Sequence, residues 1–146
     1  ITEMITGIDL VKEQIKIASG NKLRVSQKDI KISGHSIECR INAESPKTFI
    51  PSPGKINQCH QPGGLGVRVE SAIYQGYTVP PHYDSMIAKL ITHGSTREES
   101  ILRMKRALEE YIIMGIDNTI QLHQDILKSN KFINGTYNIN FMDEII

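Results

Sequence analysis

Between His35 and Glu44 the sequence alternates: Ile37, Cys39 and Ile41 are apolar, while Glu38, Arg40 and Asn42 are polar. A strand sends successive side chains to opposite faces, so this stretch predicts a strand whose apolar side turns inward and whose polar side turns away. On the polar side the order is acid, guanidinium, amide, an arrangement expected to hold Arg40 in one orientation. The plain reading is a half-buried strand with a surface ion pair. The functional reading is a positioned cation on an open face.

Around this strand the chain reads as a helical start, several short strands with long turns, and two closing helices. Residues 2–20 read as helical, with Gly7 as an interruption and Asp9 as the cap of a second segment. Leu10, Val11, Gln14, Ile15 and Ala18 form its stripe, and Gly20 ends it. A polar connection from Asn21 to Lys31 carries the short alternating run Leu23–Val25. After the opening strand come a proline-punctuated loop over 46–53, a short strand over Gly54–His60, and the glycine-rich Pro62–Gly66. A phosphate-cradling loop would continue into Gly-Lys-Ser/Thr and a helix. Here the strand-like Val67–Glu70 follows, so Pro62–Gly66 is expected to be a hairpin or surface loop. Residues 72–82 read as a loop and Tyr83–Ile91 as a mostly apolar strand ending at Gly94.

The last third is helical. Ser95–Glu99 offers a capping box in two registers, and Ile101, Met104, Leu108, Tyr111 and Ile112 form the stripe. Glu99 and Arg103 stand at i,i+4, and Gly115 is expected to close the helix. Met104 and Tyr111 read as core residues. A second helix is expected from Asp117 or Asn118, with His123 at its boundary. A turn at Asn134–Gly135 precedes a further strand over Tyr137–Phe141. Because helices do not alternate with strands, the class is α+β with a mostly antiparallel sheet and flanking helices.

Composition narrows the classes. The chain has 146 residues, enough for one domain with a core, and is 39% hydrophobic and 23% charged. Its net charge of +1, with basic residues spread along the chain, gives no argument for nucleic acid or an anionic membrane as partner, and neither is expected. Cys39 and Cys59 form no CxxC pair, and no His, Cys or carboxylate cluster has metal-ligand spacing. Reduced thiols in a cytosol are expected. No apolar run approaches the ~20 residues that span a bilayer. The chain begins at Ile1 without an initiator Met and already reads as structured there, so a piece of a longer protein is expected. Glu38, Glu44 and Asp84 are candidate acids, but no complete active site is visible.

Four stretches carry a resemblance: Thr2–Val11, Glu38–Glu44, Pro51–Ile56, and Gly76–Pro81 through Tyr83–Leu90. Together and in this order they resemble the C-terminal third of biotin carboxylase, an ATP-grasp enzyme. The resemblance implies a C-terminal domain over 33–146 (rudiment single hybrid-like), preceded over 1–32 by the tail of an ATP-grasp domain. It implies the family's chemistry: ATP phosphorylates bicarbonate, carboxyphosphate yields carbon dioxide and phosphate, and phosphate deprotonates biotin N1′ before the enolate attacks carbon dioxide. Biotin arrives on a carrier protein, and carboxyltransferase subunits take the product. The Thr2–Gly7 motif, with Met4, is similar to the bacterial acetyl-CoA carboxylase subunit of fatty-acid synthesis more than to pyruvate or propionyl-CoA carboxylases.

By the same resemblance Arg40 corresponds to the arginine that contacts biotin and bicarbonate, with Tyr83 and Asp84 beside the biotin pocket. Ile139 corresponds to an apolar contact to the adenine of ATP. Leu65 and Arg68 correspond to residues of the homodimer interface. Leu65 stands where the family usually has Phe, which implies a weaker dimer contact. In the family the magnesium-binding, lid and ATP-binding residues precede the position of Ile1, so the chain alone is expected to be inactive. The reading from another class is a non-catalytic dimerisation or interaction module.

Overall fold

The structure, a computed structural model, describes residues 1–145. Two helices open it, α1 (Thr2–Thr6) and α2 (Leu10–Ala18), with Gly7 between them at φ 69°. The Asp9 carboxylate caps α2 by accepting from the Lys12 amide at 2.8 Å. Neither helix buries a residue. The Leu23–Val25 run forms no strand, and irregular backbone with one 3-10 turn at Gln27–Asp29 leads to β1 (His35–Asn42).

β1 follows its alternation. Ile37, Cys39 and Ile41 are buried and Arg40 is exposed. β1 pairs with β6 (Met86–Gly94), which pairs on its other side with β4 (Val67–Ser71), giving an antiparallel sheet in the order β1-β6-β4. The register shifts between Ile41 and Asn42, where a bulge moves the Asn42 partner to Met86. The outer edge of β1 is met by side chains rather than by a strand. The Arg40 carbonyl accepts from His123 Nε2 at 2.8 Å and from Thr119 Oγ1 at 3.3 Å, and the Asn42 amide donates to Thr119 Oγ1 at 3.0 Å.

Several elements depart from the sequence expectation, each for a local reason. Gly54–His60 is two strands, not one: β2 (Gly54–Lys55) pairs with β5 (Thr78–Val79), and β3 (Gln58–His60) with β7 (Ile112–Met114). Between them Ile56 turns into the core, and its amide donates to the Tyr77 carbonyl at 2.8 Å while Asn57 donates to Met114 at 2.8 Å. The chain changes partner where a fully buried side chain turns it. β5 lies inside the expected loop 72–82. The strand expected from Tyr83 starts at Met86, because Asp84 Oδ1 accepts the Met86 amide at 2.7 Å and folds the preceding residues into a turn.

Helix α3 (Arg97–Glu110) begins at Thr96, whose Oγ1 accepts from the Glu99 amide at 3.1 Å. Glu99 reaches back to the Ser95 amide at 2.6 Å, and it pairs with Arg103 one turn on. The helix stops five residues short of Gly115, since the β-branched Ile112 and Ile113 enter β7 instead. Gly115 makes the turn that follows. At φ 106° it passes so close to β2 that a Cβ would lie 2.2 Å from the Lys55 carbonyl. Helix α4 (Ile120–Lys128) starts later than expected, because Asn118 donates to the Ile113 carbonyl and accepts from the Ile120 amide, both at 3.1 Å. After α5 (Asn130–Asn134), the expected strand Tyr137–Phe141 is a turn closed by the Phe141 amide on the Asn138 carbonyl at 3.1 Å. Phe141 then opens α6 (Phe141–Ile145), its ring 5.6 Å from that of Tyr137.

α3 covers the apolar side of the sheet. Ile41, Ile56, Leu90, Met104, Leu108 and Leu127 are the largest apolar side chains sealed in this core, each contributing about 1.5–3 kcal/mol by leaving water. Burial pushes the Cys39 thiol up to about 12, with Glu38 adding to the shift, so this cysteine is a core residue. Cys39 and Cys59 are both free thiols. Among the described residues no helix is long and apolar enough to cross a membrane.

Candidate functional site

The polar side of the three-stranded sheet gathers most of the residues singled out from the sequence. Opposite residues of an antiparallel pair share a face. The register therefore sets Arg68, Ile91 and Glu38 in one row across the sheet, and Glu70, Lys89 and Arg40 in the next. Arg40 and Arg68 lie on the two outer strands, about 10 Å apart across the sheet. A cleft of about 640 Å³ lies on this face, lined by Glu38, Arg68, Glu70, Lys89 and Ile91, with Ile1–Glu3 and Leu10 along its other side.

Arg40 is not held as the sequence suggested. Its guanidinium makes no hydrogen bond or ion pair among the described residues, so only its backbone is fixed, by His123 and Thr119. Among the described residues Glu38 forms no ion pair with Arg40. Asn42 donates to Glu44 Oε1 at 3.3 Å, and the same carboxylate oxygen accepts from the Ser85 hydroxyl. The reason is the bulge: it re-aims Asn42 away from its neighbour two residues back and toward the hairpin that follows. Asn42 Oδ1 is buried without a partner.

Tyr83 and Asp84 lie next to the end of β1, where the Ala43 amide donates to the Ser85 carbonyl at 2.7 Å. That is three to four residues, about 10–13 Å along the strand, from Arg40. Tyr83 is 81% exposed, and its ring borders an apolar groove of about 250 Å³ shared with Ala43, Pro51, Pro53 and Pro81. Asp84 is an exposed turn residue occupied by the Met86 amide.

On the far edge, Leu65 is 85% exposed at the tip of the Pro62–Gly66 loop. Glycine there serves close packing: at φ 71° a Cβ on Gly66 would lie 2.4 Å from the His93 carbonyl. Arg68 is engaged within its own chain, donating to Glu3 at 2.8 Å and to Glu70. The hydrogen bond from Arg68 holds the Glu3 carboxyl below the usual range, and the same bond raises the Arg68 guanidinium. This pair ties the first helix to the sheet. Ile139 is 96% exposed on the C-terminal turn, and the structure does not bring it to the Arg40 face. Among the described residues no three His, Cys, Asp or Glu side chains are grouped closely enough to hold a metal ion by themselves.

Sequence reasoning missed Lys89, Glu70 and the Glu44–Ser85 link. Lys89 interrupts an apolar strand, a visible signal, but its place beside Arg40 follows only from the register.

Comparison with known proteins gives a consistent result. The family described as the biotin carboxylase C-terminal domain matches residues 38–144, and the ATP binding domain of the carbamoyl-phosphate synthase L chain matches residues 1–26. Biotin carboxylase from Haemophilus influenzae is 61% identical over 144 residues, which are 99% of this chain and 32% of that protein. A pyruvate carboxylase subunit from Methanothermobacter thermautotrophicus is 58% identical over 145 residues, 99% of this chain and 30% of that protein. The biotin carboxylase domain of Hydrogenobacter thermophilus 2-oxoglutarate carboxylase, solved as a dimer with MgADP, ADP and bicarbonate, superposes with a TM-score of 0.96 at 50% identity over 99% of this chain and 32% of that one. The chain thus spans about a third of the length of the relatives it matches. It matches their C-terminal part and belongs to the biotin carboxylase family.

Proposed function

We propose that this chain supplies the biotin-side wall and dimer surface of a biotin carboxylase, with residues 1–32 ending its ATP-grasp domain and 33–146 forming its C-terminal domain. The observation that carries this is Arg40: an unpaired guanidinium on the open face of β1, in a chain 61% identical over nearly its whole length to a biotin carboxylase. A guanidinium stays protonated and presents a rigid fork of donors, which suits an oxyanion such as bicarbonate or the enolate oxygen of biotin. Tyr83 and Asp84 line the approach for biotin on its carrier protein. ATP and magnesium are held mainly outside this chain, with Ile139 as an apolar contact to adenine. Leu65 and Arg68 belong to a homodimer surface. The setting is a cytoplasmic acetyl-CoA carboxylase, with carboxyltransferase subunits as further partners in fatty-acid synthesis.

The test joins the upstream two thirds of the Haemophilus influenzae enzyme to this chain. Bicarbonate-dependent ADP release and carboxylation of free biotin are expected from the fusion and absent from the 146-residue chain. Arg40→Ala in the fusion should cut biotin carboxylation by about 10²–10³ while ATP affinity and melting temperature stay near the parent's. A fall in every partial reaction together with the melting temperature would make Arg40 a brace of the sheet instead. The 58% identity to a protein of pyruvate carboxylase supports a second reading, the same domain serving another acceptor. Which carboxyltransferase accepts the product decides between them.

A further inference from the structure

We infer that Lys89 is a second cation of the Arg40 site, the two side chains flanking one small oxyanion. The inference rests on the reading of Arg40 given above and adds a residue to it. β1 and β6 set Arg40 directly opposite Lys89, so their Cβ atoms stand about 4.5–5.5 Å apart on one face. Like charges in that relation oppose folding unless something offsets them. Neither side chain comes within 4.0 Å of a carboxylate among the described residues, and Glu3 and Glu70 are engaged elsewhere. Glu70, opposite Lys89 on its other side, binds Arg68, and Glu3 binds Arg68 as well.

The setting of Lys89 adds to this. Its neighbours on the same face of β6, Ile87 and Ile91, are buried, and all three line the cleft. Along β6 its flanking side chains are apolar, while across the cleft Glu3 and Glu70 are neutralised by Arg68, so an anion beside Lys89 is attracted by a cation with little competing water. The core makes no demand for a cation here, since the inward side of β6 is filled by Ala88 and Leu90. A planar anion such as bicarbonate would take the guanidinium fork in two contacts and the ammonium as a point charge. Inorganic phosphate shares that chemistry, and separate arms of the test distinguish the two.

In the fusion enzyme, Lys89→Gln should raise KM for bicarbonate about tenfold to a hundredfold, the worth of one charge-assisted hydrogen bond, and leave KM for ATP unchanged. Lys89→Arg should restore most of the loss. The melting temperature of Lys89→Gln should equal or exceed the parent's, because a like-charge neighbour has been removed. Titrating the 146-residue chain with bicarbonate, and separately with phosphate, followed by NMR, should shift Arg40 and Lys89 together, and Lys89→Gln should abolish the Arg40 shift. Saturation by only one of the two ions names the ligand. An unchanged bicarbonate KM, a proportional rise in the KM for ATP, or Arg40 shifts that persist in Lys89→Gln would overturn the inference. A parent fusion without bicarbonate-dependent ADP release would count against the carboxylase reading, and the titration would then decide on the pair by itself.

Discussion

Helices α2 and α3 are both amphipathic, and the structure treats them differently. α3 buries Ser100, Ile101, Met104, Ala107 and Leu108 against the sheet. α2 buries nothing, and its Leu10, Val11, Ile15 and Ile17 are 42–63% exposed. An apolar stripe therefore states what a helix needs covered, not that this chain covers it. The two helices fall in different matched families. α3 lies within 38–144 and is joined to β6 by a two-residue turn that lays it on the sheet, whereas α2 lies within 1–26, the stretch matching an ATP binding domain of which this chain carries only a short part. Single charged contacts, chiefly Arg68 with Glu3 in α1, replace packing in holding that end of the chain.

Truncation should separate the two helices most clearly. Leu108→Ala in α3 is expected to cost about 2–5 kcal/mol, the usual range for a sealed leucine, and urea unfolding of the chain measures it. A loss below 1 kcal/mol would mean the core closes over the gap. A smaller effect is expected from acidification of the sheet–α4 contact. Burial lowers the His123 pKa below 6.5, outweighing its hydrogen bond to the Arg40 carbonyl. Between the folded value and about 6.5 the unfolded chain binds more protons, so this share of stability is complete above about pH 6.5 and declines as pH falls through the folded value. His123→Gln should flatten that part of the profile. The carboxylates Glu3, Asp29 and Glu99, held low mainly by hydrogen bonds from Arg68, Ser26 and Ser95, add a separate loss only below their ordinary values near 4. The smallest effect belongs to α2. Ile15→Ala should change the stability of the 146-residue chain by less than about 0.5 kcal/mol, as at other exposed positions. A cost near that of Leu108→Ala would show that the α2 stripe is covered in solution.

The division of labour in β1 was legible from its period of two, as was the cap at Asp9, while the cap at Thr96 was one of two registers left open. Those features depend on neighbours in sequence. The family was legible from motifs in order along the chain. What escaped depends on pairing across the chain: the split at Ile56, the β7 strand after α3, and the row that places Lys89 beside Arg40 all follow from long-range register. The expectation that Asn42 would grip Arg40 failed because the bulge between Ile41 and Asn42 is invisible in an alternating pattern. Tyr137–Phe141 alternated well enough to suggest a strand, but Asn138 closes a turn there, its side chain accepting from the Asn140 amide and its carbonyl from the Phe141 amide.

The way β1 is bordered has a further consequence. Edge strands with free backbone donors and acceptors are templates on which a second chain can add a strand and start a fibre. Here Thr119 and His123 occupy the Arg40 carbonyl, Thr119 accepts from the Asn42 amide, and the Thr119 amide donates to the Asn42 carbonyl at 3.2 Å. The same two side chains that fix the backbone of Arg40 thus close the sheet to self-addition at the end where its cation must stay open to solvent.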